Sequence, residues 1–167
     1  MENLLALDPG KNKFGWAFVA LRGDLLASGI IPCLRLEELL DGLLNGDLRQ
    51  LAPAIRERRG NAERLDPPGT ILLGSGTARK ILEIALVSRG RVFTIVEEAY
   101  TTLEARRLFW KLHPPGFFAR WIPESLRVPP RPIDDLAAWA LALRFLDVAP
   151  GKASGERSRA PTPPRTS

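Results

Sequence analysis

The sequence predicts an α/β fold with a five-stranded mixed sheet, in which two parallel strands extend a three-strand antiparallel meander and helices flank the sheet. Two observations support this. Three apolar segments open the chain, joined only by GKNK and RGD, and such short connections join antiparallel neighbours. Later, an apolar strand, an amphipathic helix and a second apolar strand follow one another, which indicates a right-handed parallel crossover.

The first half of the chain supplies the meander and two helices. The three strands are predicted at about 3–8, 14–21 and 25–32, where apolar runs are bounded by Gly, Pro and Asp. Leucines at helical spacing predict a helix at 34–44, and a second helical stretch is predicted at about 47–59. Residues 61–69 form a polar, Pro-rich connection.

The second half supplies the crossover and the final helices. Strands are predicted at 70–74 and 91–97, with a helix at 77–88 between them. A helix at about 102–112 precedes a loop rich in Pro and aromatic residues. The last helix, about 133–146, is apolar almost all round, and we therefore expect it to be largely buried.

Composition indicates one soluble globular domain, predicted at 1–149. The 167 residues suffice for a core, and apolar and charged residues make up 45% and 26%. Residues 150–167 are basic, rich in Pro and Ser, and lack large apolar side chains, which predicts a disordered tail. No apolar run reaches membrane-spanning length. The start of the chain has no basic region typical of a secretory signal, so the expected location is cytoplasmic, away from any membrane.

Two residue counts restrict the chemistry. Cys33 is alone, which excludes an intramolecular disulfide and a thiolate metal cluster within the chain. His113 is also alone, which excludes a His-rich metal site, and we expect it to make a cap contact at the end of the preceding helix. A metal bound by this chain would need carboxylates, which favour Mg²⁺ or Mn²⁺.

Acidic residues stand at three points of the predicted architecture. Asp8 ends the first strand, Glu97 and Glu98 end the last strand, and Asp134 and Asp135 open the last helix. Because functional sites form beyond the carboxyl ends of parallel strands, we expect one residue of each group to converge there. Their mutual repulsion would raise their pKa values unless a divalent cation were bound. The alternatives are a turn-forming Asp8, a solvated strand end and an ordinary helix cap.

Three segments carry a family resemblance. LALDPGKNKFGWAFV resembles the opening strand of the RuvC-type Holliday-junction resolvases and of the YqgF family, both members of the ribonuclease H-like superfamily. VEEAYTTLEA resembles a YqgF segment, and PIDDLAAWALAL resembles the final-helix motif of both groups. The fold implied is ribonuclease H-like. The matches place the catalytic and metal-binding residues at Asp8, Glu98 and Asp134, with Asp135 as a further metal ligand and second choice.

The resemblance implies a metal-dependent endonuclease that uses Mg²⁺ or Mn²⁺ to hydrolyse phosphodiester bonds in branched DNA, such as a Holliday junction, or in precursor RNA. Arg131 stands where resolvases carry a second Asp, and Gly74-Ser75-Gly76 stands where their central Glu ends a strand. These departures favour the YqgF pattern. The alternative is a non-catalytic nucleic-acid-binding module with the same fold. A sugar-kinase-like phosphotransferase is disfavoured, because the chain is too short for two lobes. The resemblance does not cover 34–69, and it leaves a homodimer open.

A basic and aromatic surface is predicted beside these carboxylates. Cations pair with phosphates, and exposed aromatic rings stack on unpaired bases. The candidate phosphate-binding residues are Lys11, Lys13, Arg106, Arg107, Lys111, Arg120, Arg127 and Arg131, and the candidate stacking residues are Phe117, Phe118 and Trp121. The turn Gly74-Ser75-Gly76-Thr77 either binds a phosphate or is a tight turn with Thr77 as helix N-cap.

Overall fold

The computed structural model describes residues 2–97 and 101–146. Within these residues the chain forms six strands and four α-helices: β1 Asn3–Pro9, β2 Lys13–Ala20, β3 Leu25–Pro32, α1 Leu36–Leu44, β4 Ile55–Arg58, β5 Thr70–Gly74, α2 Arg79–Ser88, β6 Thr94–Val96, α3 Thr101–Leu112 and α4 Asp134–Phe145. Glu98, the predicted domain boundary at 149 and the predicted tail at 150–167 lie outside the described residues.

The strands form one mixed sheet in the order β4-β3-β2-β1-β5-β6. β1, β2 and β3 pair antiparallel, so the predicted meander is confirmed. β5 lies parallel to β1, and β6 lies parallel to β5. The helix between β5 and β6 therefore completes the predicted parallel crossover. This order puts the carboxyl ends of β1, β5 and β6 at one rim of the sheet.

The described sheet has six strands, so the prediction of five is wrong. The additional strand is β4, whose residues are predicted to end a helix. The predicted helix at 47–59 is replaced by a short 3₁₀ turn at Ala52–Ala54 and by β4. Pro53 lies inside that turn and lacks the N–H that a helix would need. β4 pairs antiparallel with β3, with Glu57 opposite Ser28.

Helices cover both faces of the sheet. On one face, Leu5 and Leu7 of β1 pack with α1 and α2. On the other face, Leu4 and Ala6 pack with α3 and α4. This alternation is the two-residue period of a strand buried on both sides, as the apolar run before Asp8 predicted.

Helix α4 is the most buried of the four described helices, as its composition predicted. From Asp135 to Leu143 each of its residues is buried, and the Trp139 indole N–H donates to the Gly23 carbonyl at 3.0 Å. None of the helices in the described parts of the chain is both long and apolar enough to cross a membrane.

Candidate active site at the rim of the sheet

Asp8 lies at the rim of the sheet, as the last residue but one of β1. It is half-buried and pairs in register with Gly15 of β2. Since Leu4 and Ala6 face α3 and α4, strand alternation places Asp8 on that same side. The chain then turns through Pro9 and Gly10, where the Gly10 N–H donates to the Lys13 carbonyl at 3.0 Å. The turn delivers a carboxylate to the side of the sheet on which α4 begins.

The N-terminus of α4 packs directly on Gly15. A Cβ atom placed on Gly15 would lie 1.9 Å from the carbonyl oxygen of Asp134 and 2.7 Å from the backbone nitrogen of Asp135. Only glycine permits so close an approach of helix backbone to strand. Because Gly15 is the register partner of Asp8, the structure brings the first turn of α4 over the strand next to Asp8.

Asp134 is paired with a lysine from the same rim. The Lys13 ammonium lies 3.0 Å from Oδ2 of Asp134, and the two side chains are 41% and 29% exposed. At this exposure an ion pair contributes little to stability. Its significance is its location, because it holds a positive charge against one of the candidate metal ligands.

Asp135 is fully buried and points to a different set of partners. The Ser28 hydroxyl donates to its Oδ2 at 2.8 Å, and Arg131 donates from Nη1 to Oδ1 at 2.9 Å and from Nη2 to Oδ2 at 3.3 Å. Both carboxylate oxygens are thus occupied by groups of this chain. Asp134 and Asp135 are separated as adjacent helix residues must be, and the geometry favours Asp134 as the member available at the rim.

The Arg131 side chain connects Asp135 to Glu57 of the edge strand β4. Its Nη2 donates to Oε1 of Glu57 at 2.5 Å, and the same oxygen lies 2.8 Å from Nε2 of His113. Burial raises the pKa of the Glu57 carboxyl, but the hydrogen bonds to His113 and Arg131 outweigh it and hold the pKa below its usual value. Burial lowers the pKa of Arg131, but the hydrogen bonds to Asp135 and Glu57 outweigh burial and hold that pKa above its usual value. The His113 backbone N–H makes the expected cap contact just past α3, donating to the Phe109 carbonyl at 2.8 Å, while its ring contacts Glu57.

Sequence reasoning missed Ser28 and Glu57, which complete this cluster. No sequence motif marks either residue, and their hydrogen-bond partners are distant in sequence. An acidic residue at an alternating position of an edge strand, as in Ile55-Arg56-Glu57-Arg58, is the one signal that could have indicated Glu57.

The third expected carboxylate, Glu98, lies outside the described residues. Its neighbour Glu97 is exposed, and the Glu97 backbone carbonyl accepts a hydrogen bond from Arg144 at 3.0 Å. Within the described ranges, no three His, Cys, Asp or Glu residues form a group that could hold a metal ion. Asp8 and Asp134 supply oxygen donors of the type that a hard cation prefers, and they need a further ligand.

The predicted basic residues divide into two sets. Arg131 is bonded within the fold, Lys13 is paired with Asp134, and Arg127 donates to the carbonyls of Ile122 and Arg120 at 2.7 and 3.0 Å. The remaining candidates have no carboxylate partner among the described residues, and all but the half-buried Arg106 are exposed: Lys11, Arg106, Arg107, Lys111 and Arg120.

The predicted stacking residues lie in the loop between α3 and α4. Phe117, Phe118 and Trp121 are 73%, 86% and 82% exposed. The rings of Phe117 and Phe118 meet edge to face with centroids 5.7 Å apart, and Phe118–Trp121 forms a 3₁₀ turn. Phe109, by contrast, is buried in the core.

The glycine turn after β5 is a tight connection in the structure. The Ser75 N–H donates to the Val96 carbonyl at 3.1 Å, which ties the turn to β6. Helix α2 begins at Arg79 with Ala78 as its N-cap residue, so the alternative with Thr77 as N-cap is wrong.

Comparison with known proteins yields distant structural likenesses and no sequence relative. No protein-family model matches the sequence, and no curated protein matches it. Among solved structures, the chain is similar to T. thermophilus RuvC in complex with a Holliday junction substrate, with 14% identity and a TM-score of 0.44 over 86% of this chain and 91% of that chain. At this identity and TM-score, the likeness establishes neither a shared fold nor a shared activity.

Proposed function

We propose that this chain is a metal-dependent endonuclease with a ribonuclease H-like fold, acting on phosphodiester bonds in structured DNA or precursor RNA. The observation that carries the proposal is the contact of the Asp134 backbone with Gly15, the register partner of Asp8. It brings residues far apart in sequence to one side of the sheet, at the rim where the parallel strands end. The antiparallel meander followed by two parallel strands is the strand arrangement of that fold, with β4 as an added edge strand.

In this proposal Asp8, Asp134 and Glu98 hold Mg²⁺ or Mn²⁺. Val96, the last residue of β6, packs on the α3–α4 side of the sheet, and the family resemblance favours Glu98 over Glu97 as the third ligand. The bound cation would stabilise the charge that develops during phosphodiester hydrolysis. Asp135 stays inside the fold, paired with Arg131 and Ser28, and has a structural role.

Exposed cations and aromatic rings support nucleic acid as the substrate. Lys11, Arg107, Lys111 and Arg120 are exposed cations without carboxylate partners in the described parts of the chain, and such cations neutralise phosphates. Phe117, Phe118 and Trp121 present exposed rings in the adjoining loop. Cations and rings together favour a substrate that contains unpaired bases, since exposed rings stack on bases that are not already stacked in a duplex.

A second candidate function is a nucleic-acid-binding module without catalysis. The observation that favours it is the ion pair of the Lys13 ammonium with Asp134 at 3.0 Å, in which the chain itself supplies a positive charge to this carboxylate. In that case the rim binds phosphate through its cations, and the carboxylates serve to order the lysine. Mn²⁺ binding discriminates between the two functions, because only the nuclease needs a cation at Asp134.

The experiment is a cleavage panel. Labelled four-way DNA junction, duplex DNA, single-stranded DNA and precursor RNA are incubated with the full chain and Mg²⁺ or Mn²⁺, and again with chelator. The proposed function predicts cleavage of at least one substrate, abolished by chelator. Binding of these probes with no cleavage in either metal would contradict it and support the second function.

A further inference from the structure

A single hydrogen-bonded network joins the edge strand to the start of α4. It consists of five side chains, named here the Arg131 network: Ser28, Glu57, His113, Arg131 and Asp135. The Arg131 guanidinium is its centre, bonded to Asp135 at 2.9 Å and to Glu57 at 2.5 Å. Ser28 closes the inner end at Asp135, and His113 closes the outer end at Glu57.

The network is held rigidly from several sides. Ser28 and Glu57 are directly paired across β3 and β4, so both ends rest on neighbouring strands. The Arg131 guanidinium also lies over the Phe109 ring, 5.5 Å from its centroid, and the His113 ring lies 4.8 Å from the same ring. Helix α3, strand β4 and helix α4 therefore meet at Arg131, and β3 joins them through Ser28 and Asp135.

Helix α4 depends on this network for the placement of its first turn. Its N-cap residue, Ile133, makes no side-chain capping bond. The fully buried Asp135 instead receives the hydroxyl of Ser28 and the guanidinium of Arg131. Asp134 is the adjacent residue, and its backbone already touches Gly15 with no spare room. A small rotation of this turn would shift the Asp134 carboxylate relative to Asp8.

We propose that Arg131 is a positioning residue for the candidate site, bracing the first turn of α4 against β4 so that Asp134 faces Asp8. This inference rests on the proposed function, and it assigns a role to β4, which the family resemblance does not cover. Glu57 is the outer support of the brace, because it binds Nη2 at 2.5 Å, the guanidinium nitrogen whose bond to Asp135 is the longer one at 3.3 Å.

The test compares three variants of the full chain. Arg131→Gln removes the centre of the network, and Glu57→Gln weakens the outer support while leaving the Arg131–Asp135 pair to preserve folding. Arg89→Gln is the matched control, because Arg89 also bonds two carboxylates, Asp41 at 2.7 Å and Glu37 at 3.0 Å, with a similar exposed fraction of 20% against 23% for Arg131. These partners lie on α1, on the opposite face of the sheet from α4. Mn²⁺ affinity is measured without nucleic acid, and kcat and KM are measured on the junction or RNA that the wild type cleaves.

The expected result is weaker Mn²⁺ binding and a fall in kcat of about tenfold or more for Arg131→Gln, with KM nearly unchanged, because misplacement of about 1 Å costs up to ~10²-fold in rate. Glu57→Gln shows a smaller fall, and Arg89→Gln shows neither change. If Arg131→Gln fails to fold, the test is the comparison of kcat and Mn²⁺ affinity between Glu57→Gln and the same control.

Two results overturn the inference and are distinguishable. If the wild type cleaves and both network variants keep its kcat and Mn²⁺ affinity, Arg131 does not position the site. An equal loss in Arg89→Gln leads to the same conclusion. Absence of both cleavage and Mn²⁺ binding in the wild type removes the proposed function itself, and the inference with it.

Discussion

The carbonyl oxygen of Asp134 lies 1.9 Å from the position that a Cβ atom would take on Gly15. No side chain fits there without a shift of backbone, and the atoms to be moved belong to the first turn of α4. Gly15 is at the same time the register partner of Asp8. One glycine thus sets the distance between a strand end and a helix start that each carry a candidate metal ligand.

Replacing Gly15 by Ala is expected to push α4 away from β2. Overpacking of this kind costs typically about 1–3 kcal/mol, so the free energy of unfolding should fall by that amount in urea titrations, and metal-dependent cleavage should fall with it. Gly116→Ala is the control, because nothing lies within 4 Å of its added Cβ, and surface changes of that type stay within about 0.5 kcal/mol. Equal urea midpoints for the two variants would show that α4 can yield at Gly15.

The stabilising contribution of Glu57 should disappear in acid. Its pKa is lowered in the folded chain, as hydrogen bonds to His113 and Arg131 outweigh its burial, whereas the unfolded chain has the ordinary value of about 4.3. A group with a lowered folded pKa stabilises the fold fully above its unfolded pKa, and the contribution is lost as the pH falls through the folded value.

The measurement is the difference in unfolding free energy between the wild type and Glu57→Gln across a pH series. We expect a constant difference above about pH 5 that shrinks as the pH falls below about 4. A difference that stayed constant into strong acid would mean that the Glu57 charge does not stabilise the fold.

The exposed rings of the loop between α3 and α4 should contribute to binding and not to stability. Phe118→Ala and Trp121→Ala remove side chains that are 86% and 82% exposed, and each stacked base is worth about 1–3 kcal/mol by alanine substitution. We expect weaker binding of a labelled single-stranded oligonucleotide with unchanged unfolding in urea. Ile84→Ala is the control, since Ile84 is 71% exposed on α2, across the sheet from this loop. Unchanged affinity in the loop variants, or an equal loss in Ile84→Ala, would argue against base stacking.

The architecture could be predicted wherever the local pattern was strong. The apolar run before Asp8, the short connections of the meander and the apolar helix after Ile133 each specify their own structure by composition and spacing. Strand β4 could not be predicted that way, since Ile55-Arg56-Glu57-Arg58 offers one apolar residue and three charges. Its strand conformation comes from pairing with β3 and from Pro53, which prevents the helix that the preceding residues suggested.

The candidate site was predictable only in outline. Alternation and the helical turn angle required the members of each acidic pair to separate, and Asp134 and Asp135 do so. Which of them lies inside the fold depends on Arg131, Ser28 and Glu57, and Glu57 is 74 residues from the arginine it binds. Contacts of that range follow from the packing of strands and helices and leave no local pattern to read. The same holds for Lys13, whose pairing with Asp134 links the first hairpin to the last helix.

The most direct measurement is metal-dependent cleavage by charge-removing variants of the three candidate ligands. Asp8→Asn, Glu98→Gln and Asp134→Asn each remove one negative charge at nearly constant size, and each should nearly abolish cleavage while nucleic-acid binding through Lys and Arg survives. Glu97→Gln is the control and should retain most activity. A wild type that cleaves, with all three ligand variants cleaving as fast, would contradict the assignment of catalysis to this rim.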